Sequence, residues 1–128
     1  MQAHAIGKFV RGSAQKARLV IDTIRGKNVS DALAILRFTK KRAAKPIEKV
    51  LRSAIANAEQ TAERDNISVN VDRLFVSECY VDIGATKWRR RVRPAPMGRA
   101  YREKRHLCHI TVHVSTDKAG KNPSKSEE

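Results

Sequence analysis

Aromatic side chains make up only 5% of this 128-residue chain, so alanine, valine, isoleucine and leucine have to build its interior. Acids are scarce too. Thirteen Asp and Glu face 27 Lys and Arg, a formal net charge of +14 at pH 7 and a pI near 10.5, which points to a polyanionic partner. No run approaches the roughly 18 apolar residues that span a bilayer, and the opening MQAHAIGKFVRG has neither the apolar stretch nor the cleavage site of a secretory signal. No membrane partner is expected. Two cysteines, Cys79 and Cys108, are too few for a secreted disulfide framework, which makes a reducing compartment the expectation. Nucleotide-loop and hydrolase motifs are missing and the acids are scattered, so nothing indicates an enzyme. What is present, a 41% hydrophobic fraction, suits one domain with a modest core.

Hydropathy patterning supplies the elements. Residues 2–10 read as a short edge strand with Ile6, Phe9 and Val10 available for burial. After Ser13, a good N-cap, Ala17, Val20, Ile21 and Ile24 recur at helical spacing, and Gly26 stands where a helix commonly closes. A second helix is expected from Ser30 as N-cap, with Asp31 in its first turn and Leu33 and Leu36 inward, to about Phe38. A third follows Thr39 and runs to about Thr61, along an apolar stripe from Ala43 through Ile47, Val50, Leu51, Ala54 and Ile55 to Ala58. Pro46 either bends its first turns or moves its start to near Lys45, and its many alanines suggest close approach to a neighbour.

Past 63–66 the period changes from helical to alternating. Ile67, Val69 and Val71 alternate with polar residues, and 74–82 reads as a longer strand. Residues 107–114 put Cys108, Ile110, Val112 and Val114 on one face and Leu107, His109, Thr111 and His113 on the other. That geometry argues against zinc, because Cys108 faces away from the histidines and His109 and His113 lie about 13 Å apart. Buried free thiols are the simpler reading, with Cys79 and Cys108 as possible cross-strand neighbours, and no metal or other cofactor is expected. The sum is an α+β fold: three helices packed on a small three-stranded antiparallel sheet, with a long extended β-hairpin at about 82–106. The single domain covers 1–114, and 115–128 reads as a disordered tail with no large apolar side chain.

The chemistry is concentrated at 84–106. Nine Lys or Arg there meet one acid, Glu103, for a net +8, and seven of the nine are Arg. Such a segment cannot repay its ordering entropy by apolar burial, so something outside the chain has to hold it. Arginine suits bidentate phosphate contacts and stacking on bases, and Trp88 adds a ring. RNA is favoured over duplex DNA, because the arm is broken by Gly84, Pro94, Pro96 and Gly98, which suggest an irregular tip. Ten residues per arm would reach about 33 Å. A second basic cluster, Lys8, Arg11, Lys16, Arg18, Arg25 and Lys27, surrounds the first helix, whose N-terminus adds backbone N–H groups. For a third, Lys40, Lys41, Arg42, Lys45, Lys49 and Arg52, solubilising and binding roles stand about even.

Gly98-Arg99-Ala100, Lys104-Arg105 and His109-Ile110-Thr111-Val112 together resemble the C-terminal signature of the bacterial-type large-subunit ribosomal protein L twenty-two family. Ser13-Ala14-Gln15-Lys16, Arg18-Leu19-Val20, Ile24-Arg25-Gly26-Lys27, Lys49-Val50-Leu51, Ser53-Ala54-Ile55-Ala56-Asn57-Ala58 and Val81-Asp82 with Gly84 extend the resemblance, in order, over about 3–115. It implies a structural constituent of the large ribosomal subunit that binds large-subunit ribosomal RNA, with a hairpin lining the nascent-peptide exit tunnel. The implied partners are that RNA, neighbouring large-subunit proteins and, at the hairpin tip, the nascent peptide. Cytoplasmic and organellar ribosomes both fit, with the cytoplasmic one as the expectation. By the same resemblance Lys87, Trp88, Arg89, Arg90 and Arg91 are expected at the tip. Arg93, Arg99, Arg102, Lys104 and Arg105 are expected on RNA along the arm, together with the six cations around the first helix. The segment between Val81-Asp82-Ile83-Gly84 and Gly98-Arg99-Ala100 is about two residues longer than the family pattern. The alternative is a free regulatory or chaperone-like RNA-binding protein.

Overall fold

A computed structural model describes residues 1–86 and 90–116. The elements run β1 (Gln2–Arg11), α1 (Ala14–Ile24), α2 (Val29–Phe38), α3 (Ala44–Arg64), β2 (Phe75–Ile83), β3 (Arg90–Pro94), β4 (Ala100–Lys104) and β5 (Leu107–Ser115). β5 is central to a three-stranded antiparallel sheet of order β1-β5-β2, and β3 and β4 form a separate two-stranded ribbon. The helices cover one face of the larger sheet, α3 over β1 and β5 and α1 over β2. Ile21, Ile24, Ile47, Leu51, Val112 and Val114 are fully buried between them. This is the α+β architecture the periodicities predict.

Small residues set the layer spacing. Ala3 and Ala5 are the buried side chains of β1, and a Cβ placed on Gly7 would lie 2.7 Å from a methyl of Val50 on α3. With α3 that close there is no room for Ile6 or Phe9, which point outward and are half exposed or more. The expectation that those two would be buried is corrected on that ground. A bulge between Gly7 and Val10 turns Phe9 outward with φ 56°, where its ring meets His109 edge-on at 5.0 Å. The alanines of α3 (Ala44, Ala54, Ala58, Ala62) serve the same close approach.

Two expectations change for tertiary reasons, while α3 starts at Ala44, beside the Lys45 start that Pro46 allowed. α2 is capped by Asn28 instead of Ser30, because Asn28 bridges to Phe75 and the Val29 N–H donates to Leu74 O at 3.0 Å, drawing the helix start two residues earlier. Pro46 sits in the first turn of α3, where no intrahelical N–H is missed. Residues 67–70 carry the alternating pattern without joining the sheet, and Val71–Arg73 is a single 3-10 turn capped by the Asn70 side chain. α1 follows the sequence closely: Ser13 is its N-cap, without a side-chain capping bond, and Gly26 follows its C-cap at φ 76°.

Cys79 pairs with Val112, and Cys108 lies between Val10 and Ile83, so the two thiols are not cross-strand neighbours. Both are free and buried. Ser115 is buried at the end of β5 and Thr116 bonds to Met1, so ordered structure reaches past 114. The rest of the expected tail lies outside the described residues.

Candidate nucleic-acid interface

The ribbon runs out from the sheet through one close contact. The Gly84 N–H donates to Leu107 O at 2.8 Å, and a Cβ at Gly84 would meet the Leu107 carbonyl at 2.9 Å. Only glycine allows this crossing. The ladder then breaks: six residues separate Ile83 from Arg90 on the outgoing side, but three separate Lys104 from Cys108 on the return.

Within the ribbon Arg90 faces Lys104, Arg91 faces Glu103, Val92 faces Arg102 and Arg93 faces Tyr101. Alternation puts Arg90, Val92, Arg102 and Lys104 on one side and Arg91, Arg93, Tyr101 and Glu103 on the other. Every residue of β3 is exposed, and of β4 all but the half-buried Glu103. Arg93 pairs with Glu103, the segment's single acid. No other cation of the described ribbon has a carboxylate partner.

The turn lies at 95–99. The Ala95 N–H donates to Arg99 O at 2.9 Å around the 3-10 turn Pro96–Gly98, and Met97 there has φ 64° and is 95% exposed. The tip assignment is corrected accordingly. Arg90 and Arg91 start β3 at the base end of the ladder, far in register from the turn, and Lys87, Trp88 and Arg89 lie outside the described residues. Of the four residues that the residue pattern marked as an irregular tip, Pro96 and Gly98 occupy the turn, Pro94 ends β3, and Gly84 sits at the base of the arm against Leu107. Arg99 follows it, Arg102 and Lys104 lie along β4, and Arg105 stands at the base.

The fold divides the cluster around α1. Arg11 and Lys16 turn to a cleft of about 530 Å³, enclosed by the end of β1, the first turn of α1, the start of α3 and the base of the hairpin. Arg42 and Arg105 complete its basic rim, with His106 beside them. Val10, Ala17, Ala43, Pro46, Cys108 and Ile110 give it an apolar side, Gly12 and Ser13 complete it, and no acid is among its described lining residues. The Gly12 N–H donates to His106 O at 3.1 Å and fixes one wall. Arg18 and Arg25 instead reach the outer edge of β2. Arg18 donates from Nε and Nη2 to Val81 O at 3.2 and 3.0 Å, and Arg25 donates from Nη2 to Cys79 O at 2.9 Å. Arg25 also pairs with Asp22 at 2.8 Å. Lys8 is exposed on β1 and Lys27 in the α1–α2 connection.

The third cluster divides as well. Arg52 is answered by Glu48 at 2.6 Å, with Arg37 at 3.8 Å from the same oxygen. Lys40, Lys41, Arg42 and Lys45 border a groove beside Phe38, whose ring is 86% exposed. Arg42 belongs to the third basic cluster, for which binding and solubilising roles stood about even, and Phe38 was not among the expected contact residues; the packing of α3 against β1 is what brings Arg42 beside Arg11 and Arg105.

The open face of the sheet has a different character. His4 and His113 stack at 5.2 Å, and Tyr80 stacks on His113 at 6.3 Å. The Phe9 N–H donates to His109 Nδ1 at 3.1 Å. Among the described residues no group of three or more His, Cys, Asp or Glu is gathered as a metal site. Desolvation pushes the Cys79 thiol up from its ordinary pKa, against the opposing pull of Arg25, and burial does the same to Cys108. Both thiols stay protonated and inert near neutrality. Among the described residues no helix is long and apolar enough to cross a membrane.

Comparison with known proteins agrees with the sequence resemblance. The family model described as Ribosomal protein L22p/L17e matches residues 5–115. "Large ribosomal subunit protein uL22" of Solibacter usitatus is 52% identical over 119 residues, 93% of this chain and all of that protein. The protein of the same name from Desulfitobacterium hafniense (strain Y51) is 52% identical over 93% of this chain and 98% of its own length. That of Pelotomaculum thermopropionicum is 46% identical over 120 residues, 94% of this chain and all of its own.

Proposed function

The chain belongs to the Ribosomal protein L22p/L17e family and is a structural constituent of the large ribosomal subunit, not an enzyme; we propose that its hairpin and the basic surface at the hairpin's base are what hold ribosomal RNA. One observation carries the reading. The ribbon is exposed along both strands, packs on no core of its own, and leaves all but one of its described cations without an internal carboxylate. Phosphates supply what is missing. Arg99, Arg102 and Lys104 along β4 are the contacts for one RNA segment, and Arg11, Lys16 and Arg105 at the base for another. Bridging two segments in this way neutralises charge where RNA helices crowd together.

The same reading gives the 95–99 turn to the nascent peptide. Met97, bare of contacts that would bury it, offers an apolar, adaptable side chain to a passing chain. The ribosome in question is taken to be the cytoplasmic one. Titrating the full chain against its large-subunit ribosomal RNA at several salt concentrations tests the RNA contacts. The logarithm of affinity should fall with the logarithm of salt by roughly 0.7–0.9 per phosphate held. A flat dependence contradicts the proposal. For the turn, a photocrosslinker at Met97 on translating ribosomes should capture the growing chain, and capture of RNA alone would refute that part.

A further inference from the structure

We propose that the cleft at the hairpin's base is a binding site for a single unstacked nucleotide of an RNA strand, with the base on the apolar floor and its phosphates on the basic rim. The inference rests on the RNA-binding reading above and specifies one site within it. A surface that only tracks phosphates needs cations on a polar or convex face and gains nothing from an apolar hollow. Here the two occur together. The cleft, at about 530 Å³, falls within the roughly 300–1,000 Å³ range of small-molecule sites. Ala43, Pro46 and Val10 keep part of their apolar surface open to the cleft, with Ala17, Cys108 and Ile110 buried behind them, and this apolar side suits the face of a base.

Charge complementarity selects the occupant. Arg11, Lys16, Arg42 and Arg105 ring the opening without an acid among the lining residues, so an apolar side chain of another protein would leave four cations unanswered. A nucleotide satisfies both halves of the site. Arg42 and Arg105 also have planar guanidinium groups that can stack on a base while bonding phosphate. Double-stranded RNA cannot enter, since its bases are paired and stacked, whereas splayed bases of loops and bulges are what proteins read by stacking. Arg42 further borders the groove beside the exposed ring of Phe38, so a strand leaving the cleft on that side meets a second stacking surface.

The test separates base insertion from phosphate attraction. Binding of the full chain to single-stranded rA10 and to a fully paired RNA duplex of equal length is measured across a salt series. Ala43→Phe fills the cleft without altering charge. It is expected to weaken rA10 binding about tenfold, the order of one lost stacked base, with an unchanged salt slope and unchanged duplex binding. Arg42→Ala should weaken both and lower the slope by about one. If Ala43→Phe binds both RNAs as the parent does, or loses both equally, the cleft takes no base and the proposal falls. Should that variant fail to fold, titration of the parent with adenosine 5′-monophosphate decides. Shifts of the Ala17 and Ala43 methyl resonances support the site, and their constancy up to millimolar nucleotide overturns it. Failure of the parent chain to bind either RNA would instead defeat the broader RNA-binding reading.

Discussion

Arg18 and Arg99 were indistinguishable as sequence letters, each an arginine in a basic cluster, and the fold gives them different work. Arg18 spends two donors on Val81 O, whereas the Arg99 side chain is exposed and meets no carboxylate among the described residues. Arg18→Ala should therefore cost about 1 kcal/mol of folding stability, read as a lower denaturant midpoint. Arg99→Ala should leave the midpoint in place and reduce the salt slope of RNA binding by about one. Val112 is a simpler case, legible from alternation alone. It is fully buried on the central strand, so Val112→Asp places an unpaired charge in the core and should abolish cooperative thermal unfolding. What the sequence could not disclose at this scale is which cations the fold itself consumes. Arg25 finds Asp22 and Cys79 O, Arg52 finds Glu48 and Arg93 finds Glu103, and all of these but the i,i+3 and i,i+4 pairs depend on register or on packing.

Among the elements, helices and core strands were readable because their apolar spacing is fixed by the faces they bury. The α2 start was misplaced because a backbone bridge between Asn28 and Phe75 outweighs a serine's capping preference. Residues 67–71 kept the alternation without a partner strand, since both flanks of β5 are already taken by β1 and β2. For the hairpin, the residue pattern was half right: Pro96 and Gly98 mark the chain reversal, while Gly84 is required by the close contact with Leu107 at the base of the arm. The ribbon adds nothing to the core. Replacing 90–104 with a short glycine linker should change the melting temperature by no more than roughly 3 °C, while removing most of the salt-dependent RNA affinity. A large loss of stability in that deletion variant would mean that the arm props the domain.

On the scale of the molecule, a net charge of +14 strains the free protein and is relieved by RNA. Screening should imitate that relief in part. Raising salt from about 0.05 to 0.5 M, which shortens the screening length from over 10 Å to a few ångströms, is expected to raise the melting temperature of the isolated chain; an unchanged or lowered value would mean that the like charges are already too far apart to repel. Composition disclosed the partner class and the density of charge disclosed the arm. The cleft was hidden, because Arg11, Arg42 and Arg105 are brought together only when β1, α3 and the hairpin meet.

The sealing of β2 bears on the interval between synthesis and assembly. Electrostatic repulsion keeps newly made copies apart until they settle side by side on a polyanion, where that protection vanishes. An unanswered strand border would then recruit a second copy and start a chain-to-chain sheet. Gly26 and Lys27 bond both backbone groups of Val76, and the guanidinium groups of Arg18 and Arg25 answer the Val81 and Cys79 carbonyls on the outer side of β2. That border of the sheet is therefore closed to the strand of a second copy.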